Sequence, residues 1–357
     1  MGPPRGCPVG RTVATPAVSV RAIQHHQHAA DVQRDLLAGL VLAPDLGGLD
    51  GLDEVDTLDN ESIMELDEVP DHLLVIGGGY VGLEFAQMFA RFGSRVTVID
   101  RGEHVLSQED EDISEEVESI LRDEGLTLLQ RATVQRAETT DSGVRLQVDA
   151  PGGAQSIRGS HLLVAAGRRP NTQSLKLDAA GVQVDDQGFV RVNDRLETNV
   201  SGIYALGDVK GGPAFTHVSY DDYRVLKANL VDGRDRSIAD RSLLYTVFID
   251  PQLGRLGLNE RQAHEAGRKI RVAQVSMEQV ARALETGETR GLMKAIVDQE
   301  TDQILGCAIL GLQGGEVMSM IQIAMQARIP YTDLRDGMFA HPLLAESLNT
   351  LFGSFRE

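Results

Sequence analysis

The stretch that most constrains the fold is His72 to Asp100, HLLVIGGGYVGLEFAQMFARFGSRVTVID. It opens on a continuous apolar run, His72 to Ile76, which reads as a strand covered on both faces. The run enters Gly77-Gly78-Gly79-Tyr80-Val81-Gly82, which has the spacing G-x-G-x-x-G through Gly77, Gly79 and Gly82. A helix is expected at once, with Phe85, Met88, Phe89 and Phe92 on one apolar stripe and Gly93 as its stop. A second strand, Arg95 to Ile99, then ends in Asp100.

This order of parts carries chemistry. Gly77 permits a tight turn, Gly79 lets a pyrophosphate approach the backbone, and Gly82 lets helix and strand pack closely. The helix N-terminus offers unpaired N–H groups and a partial positive charge to the phosphates. Asp100 follows Gly82 by 18 residues, where an acid can accept hydrogen bonds from ribose hydroxyls. The unit therefore predicts a dinucleotide site built on Gly77, Gly79, Gly82 and Asp100. The carboxylate favours NAD, because a 2′-phosphate would meet a negative charge; Arg101 next door leaves NADP open.

A chain of 357 residues has room for two or three domains with real cores. Its net charge of −19 opposes nucleic acid and anionic membranes as partners. No apolar run reaches the ~18 residues of a membrane span. The only cysteines, Cys7 and Cys307, make no CxxC, CxxxxC or zinc spacing, and no secretory h-region is visible, so the cytoplasm is the expected location.

Residues 1–49 form a leader without a clear pattern. His25, His26 and His28 cluster in it, but no carboxylate or cysteine stands at ligand spacing, so no metal site is expected. Asn60 to Leu66 reads as a short helix. The run Gln108-Glu109-Asp110-Glu111-Asp112 reads as the solvated start of a helix that ends at Gly125. Thr127 to Gln135 and Gly143 to Val148 suggest an antiparallel insert. His161 to Gly167 is a further buried strand. Gly202 to Leu206 is another, and the Gly207-Asp208 that follows can present a carboxylate to a sugar-like hydroxyl chain. A helix is expected over Ser219 to Val231. From residue 241 the pattern changes to strands at Leu243–Ile249, Leu292–Val297 and Ile304–Leu310, with a Met-rich helix from Gly315 to Ala327.

Taken together, VIGGGYVGLEFAQ, VAAGRRPNT at 164–172, GIYALGDV at 202–209, FIDPQLGRLGL at 248–258 and FAHPLLAESLN at 339–349 resemble the pyridine nucleotide-disulfide oxidoreductase family, which includes dihydrolipoamide dehydrogenase, glutathione reductase and mercuric reductase. The resemblance implies an α/β chain. A Rossmann-like NAD(P) domain (70–164) would be inserted in a partial FAD domain (50–69 and 165–240), followed by an α+β dimerisation domain (241–357). It implies FAD- and NAD(P)H-dependent hydride transfer between nicotinamide and flavin, a small-molecule electron acceptor, and a homodimer formed through 241–357. It assigns Gly167 and Asp208 to cofactor binding, Asp208 at the ribityl chain of FAD. Glu84 would stand near the nicotinamide, paired in the family with a flavin-domain lysine. His341 and Glu346 would be the acid/base pair, the histidine serving the other subunit. A carboxylate that holds an imidazole in one tautomer and raises its basicity suits a proton shuttle near neutral pH.

Three parts of the family pattern have no counterpart in the sequence. No G-x-G-x-x-G precedes Gly77, no C-x-x-x-x-C pair occurs, and the first lysine of the chain is Lys176. The chain thus reads as the C-terminal three quarters of such an enzyme behind an unrelated or out-of-frame leader, with the dithiol relay absent. A truncated, non-catalytic NAD(H)-binding dimer is the alternative. The absence of a terminal cysteine pair and the presence of His341 count against mercury reduction.

Overall fold

The computed structural model describes residues 35–38, 42–44, 49–239 and 241–355. The histidine cluster at 25–28 and Cys7 lie outside them. Two compact units emerge: Met1–Leu42 with Pro170–Asp240, and Ala43–Arg169 with Arg241–Glu357.

In the larger unit the strand His72–Ile76 is central to a four-stranded parallel sheet, flanked by Arg95–Ile99 and His161–Val164, with Thr127–Leu129 outside Arg95–Ile99. Leu73, Leu74 and Val75 are fully buried, as expected for strands covered on both faces. Helix α1 (Tyr80–Arg91) follows the glycine turn directly. Its buried face is Leu83, Ala86 and Phe89 with Gln87, whereas Phe92 is exposed. The expected stripe is therefore rotated, because alanine and leucine pack closest to the sheet. Helix α2 spans Glu111–Asp123.

The stretch Thr127 to Gln135, expected to pair within an insert, divides. Thr127–Leu129 joins the parallel sheet, and Thr133–Thr140 begins an antiparallel meander with Gly143–Ala150 and Gly153–Gly159. Residues 50–69, expected with the flavin-binding part, lie against the nucleotide sheet. Leu58 exchanges backbone hydrogen bonds with Leu162 and Val164 at 2.7 and 2.9 Å, and Ile63 is 1% exposed in that core. The short helix foreseen there is a 3-10 turn, Ser62–Glu65.

The C-terminal part of this unit is a five-stranded antiparallel sheet in the order Leu244–Val247, Gln252–Gly257, Ile304–Gly311, Leu292–Asp298, Ile270–Ser276. The Met-rich helix is Gly314–Gln326. One apolar cluster takes Leu83, Val117 and Leu121 from the nucleotide part and Val247, Leu253 and Leu310 from the sheet.

The acidic run at 108–112 proves to be part of that junction and only partly solvated. Glu109 is buried, its Oε2 3.0 Å from Arg255 Nε, and it accepts the Tyr245 hydroxyl. Arg255 also donates to the carbonyls of Leu256 and Cys307. The buried Lys294 amine meets Asp110 at 3.1 Å, Asp112 at 2.8 Å, and Glu260. Burial of such charges is tolerated only with this degree of pairing. No composition rule distinguishes these acids from solvated ones, since their partners lie more than a hundred residues away in sequence.

In the smaller unit the strand Ile203–Leu206 pairs in parallel with Asp35–Ala38, a strand inside the stretch left unassigned by sequence. Helix Thr216–Leu230 follows, with Val225 and Leu226 buried beside Leu206.

Candidate nucleotide and redox sites

The three motif glycines are required for three different reasons. Gly77 has φ +110°, and a Cβ there would lie 2.5 Å from the Ala165 carbonyl oxygen. A Cβ on Gly82 would lie 2.1 Å from the Gly77 carbonyl oxygen, so helix and turn approach to backbone contact. Gly79 adopts ordinary extended backbone as the N-cap of α1, and a Cβ there would meet nothing within 4 Å. Neither strain nor packing explains that glycine. The open space above it lies at the positive end of a helix, a place that suits an anionic group.

A cavity of about 290 Å³ opens at this point, bounded by Asn60, Gly79, Tyr80, Asp100, Ala165 and Arg168, with Gly77 and Gly167 also on its wall. Asp100 is fixed at its edge: Oδ2 accepts the Gly78 N–H and Oδ1 the Gly102 N–H, both at 2.6 Å. Each carboxylate oxygen keeps a further lone pair for a ribose hydroxyl. The Arg168 guanidinium stands 5.6 Å from the centre of the Tyr80 ring, an attractive cation–π distance. That pair at the pocket was not read from the sequence.

Glu84 lies two residues past Gly82 on α1, half-buried. Its Oε1 accepts the Phe248 N–H at 2.7 Å. Burial pushes its carboxyl pKa up, partly opposed by that hydrogen bond and by Arg168. Gly77, Gly79, Asp100 and Gly167 thus converge on one pocket, with Gly82 and Glu84 on the helix that begins there. Two other expected residues are together elsewhere: His341 Nδ1 is 2.8 Å from Glu346 Oε2. The carboxylate accepts a hydrogen bond from Nδ1–H, which leaves Nε2 as the nitrogen that can take up a proton. The imidazole is 67% exposed, so a reaction partner can reach it. Asp208 is in the smaller unit, just after Ile203–Leu206, with Oδ1 accepting from Ser219 Oγ at 3.3 Å.

Cys307 is completely buried, and burial pushes its thiol up to about 12. It stays a protonated, inert core residue at neutral pH. Among the described residues His104, Glu111 and Glu115 have ligand atoms within 4.8 Å of one another. The two glutamates are exposed in the first turns of α2, where they complement the helix dipole without an ion.

Comparison with known proteins settles the family. Residues 39–222 match the pyridine nucleotide-disulphide oxidoreductase family and residues 244–352 its dimerisation domain. The chain belongs to this family. It is 40% identical over 295 residues to the probable pyridine nucleotide-disulfide oxidoreductase RclA of Escherichia coli (strain K12), covering 82% of this chain and 66% of that one. It is 37% identical over 313 residues to the mercuric reductase of Streptomyces lividans, covering 88% and 66%. It is 32% identical over 289 residues to a dihydrolipoyl dehydrogenase of Staphylococcus aureus, covering 81% and 62%. The chain spans about two thirds or less of the length of these relatives. The structure of the HOCl-induced flavoprotein disulfide reductase RclA from Escherichia coli superposes with a TM-score of 0.83 at 37% identity, covering 90% of this chain and 73% of that one. The family binds FAD and uses NAD(P)H, and the expected α/β architecture with its dimerisation domain stands. No helix among the described residues is long and apolar enough to cross a membrane.

Proposed function

We propose that the chain is a homodimeric, cytoplasmic flavoenzyme that moves a hydride between NAD(H) and FAD and passes the electrons to a small-molecule acceptor. The observation that carries this reading is the unfilled space over Gly79, which lies at a helix N-terminus beside an acid held by two backbone donors. In this reading Gly77, Gly79 and Gly82 shape the pyrophosphate cradle, Asp100 accepts from the adenosine ribose, and Gly167 borders the same pocket. The Asp100 charge selects NADH over NADPH. Glu84, with its affinity for a proton raised by burial, stands by the nicotinamide end. Bound FAD would supply the two-electron carrier, held at its ribityl chain by Asp208. His341 Nε2 would give or take a proton at the acceptor, with Glu346 stabilising the imidazolium; dimerisation through 241–357 would place it at the partner's site.

No cysteine of the described chain can relay electrons, since Cys307 is inert. This observation favours the second reading, an NAD(H)-binding dimer without turnover. Visible absorption of the purified protein, supplied with FAD and then with NADH in the absence of oxygen, separates the two. A flavin band that binds and then bleaches supports the enzyme. NADH binding without any retained flavin leaves only the nucleotide-binding dimer.

A further inference from the structure

Asp222 sits in the middle of helix Thr216–Leu230 and is completely buried. A carboxylate there is costly unless it is paired. Its Oδ2 accepts the Gly207 N–H at 2.8 Å and lies 3.3 Å from Lys210 Nζ, whose side chain is 7% exposed. Lys210 Nζ in turn donates to the Gly211 carbonyl at 3.3 Å. Residues on both sides of Asp208 are therefore tied to one buried acid. Gly207 and Gly211 bracket the turn with positive φ, +72° and +74°, which glycine adopts readily, and the buried acid adds to the Gly211 N–H bond to the Asp208 carbonyl in fixing it. One turn earlier on the same helix, Ser219 takes Asp208 Oδ1.

We propose that Asp222 is a positioning residue for flavin, setting the Gly207-Asp208 turn so that Asp208 Oδ2 meets a ribityl hydroxyl; this rests on the flavin reading above. The acceptor for the Gly207 N–H carries the role, and the Lys210 ion pair only neutralises the buried charge. Replacing Asp222 alone would leave Lys210 buried and unpaired, so the informative variants remove both charges. Asp222→Asn with Lys210→Met keeps an amide oxygen for Gly207, whereas Asp222→Ala with Lys210→Met does not.

FAD is titrated into each full-length variant, followed by flavin fluorescence, with circular dichroism confirming the fold. The asparagine variant is expected within about threefold of the unaltered chain, and the alanine variant at least about tenfold weaker, the scale of a lost buried hydrogen bond. Adding Asp208→Ala to either is expected to abolish the difference between them, because Asp222 acts through Asp208. Equal affinity of the two variants overturns the positioning role, as does a difference that survives Asp208→Ala. An unaltered chain that takes up no FAD overturns the flavin reading, and this role with it.

Discussion

The glycine turn at 77–82 and the acidic run at 108–112 both serve the first half of the larger unit, yet they are opposite kinds of object. The turn leaves space unfilled: its central glycine meets no atom where a side chain would be. The run buries part of itself: Glu109 is 7% exposed, and the Lys294 amine that Asp110 and Asp112 meet belongs to a residue 2% exposed, each enclosed by charges from a distant segment. The first leaves room of the kind the proposed nucleotide needs. The second ties the nucleotide part to the C-terminal sheet through buried ion pairs. Acidity and glycine content alone would have assigned both to solvent-facing loops.

The largest effect should come from the closed region. Arg255→Met leaves the buried Glu109 carboxylate with Tyr245 but without its guanidinium, and breaking a buried pair on one side costs about 3–5 kcal/mol. Urea unfolding is the measurement. Glu109→Gln added to Arg255→Met removes the stranded charge and should recover a substantial part of the loss. A single variant as stable as the unaltered chain would mean that the junction is hydrophobic in all but appearance.

The open region predicts the reverse pattern, function without stability. Gly79→Val places a branched side chain where no protein atom stands, so it should weaken NADH binding by at least about a hundredfold. Its unfolding midpoint should shift only by the ~1 kcal/mol that a poor N-cap residue costs. Gly82→Ala, three residues on, drives a Cβ to 2.1 Å from a carbonyl oxygen and should cost about 1–3 kcal/mol of stability by overpacking. NADH titration by fluorescence beside thermal melts reads both. If Gly79→Val binds NADH normally, the space over the turn is not the pyrophosphate site.

What the sequence revealed follows the same division. The strand, turn, helix and acid of 72–100 were legible because every part of their logic is local: periodicity, glycine spacing and a carboxylate at a fixed distance along the chain. His341 and Glu346, five residues apart, were singled out through the resemblance, and the structure joins their side chains by a hydrogen bond. The junction was not legible, because Glu109 looks the same whether water or Arg255 faces it. The α1 stripe was misjudged by choosing the bulkiest residues: Phe92 is exposed while Ala86 is buried. Asp222 carried no signal at all, since its Gly207 partner precedes it by fifteen residues and the helix alone does not reveal which way the turn folds back.

The smallest expected effect tests whether the open region's own strand is as insulated from water as the junction. His72 begins the central strand, 7% exposed, with Nε2 2.9 Å from Thr97 Oγ1. Burial, helped by the positive charge of Arg95, holds its pKa below the ordinary imidazole value of 6.5. The folded chain therefore binds this proton less readily than the unfolded chain. The stabilising contribution is complete above the unfolded value and is lost as pH falls from about 6.5 through the depressed folded value. The slope cannot exceed about 1.4 kcal/mol per pH unit, the limit for one proton. Urea unfolding of the unaltered chain and of His72→Gln at pH 7.5 and just below 6.5 isolates this contribution, because glutamine can still bond Thr97 but does not titrate. A smaller loss of stability on acidification in His72→Gln supports a dry strand start. Parallel losses would mean that water reaches the imidazole, and that the nucleotide sheet is open at the His72 end as well as at the glycine turn.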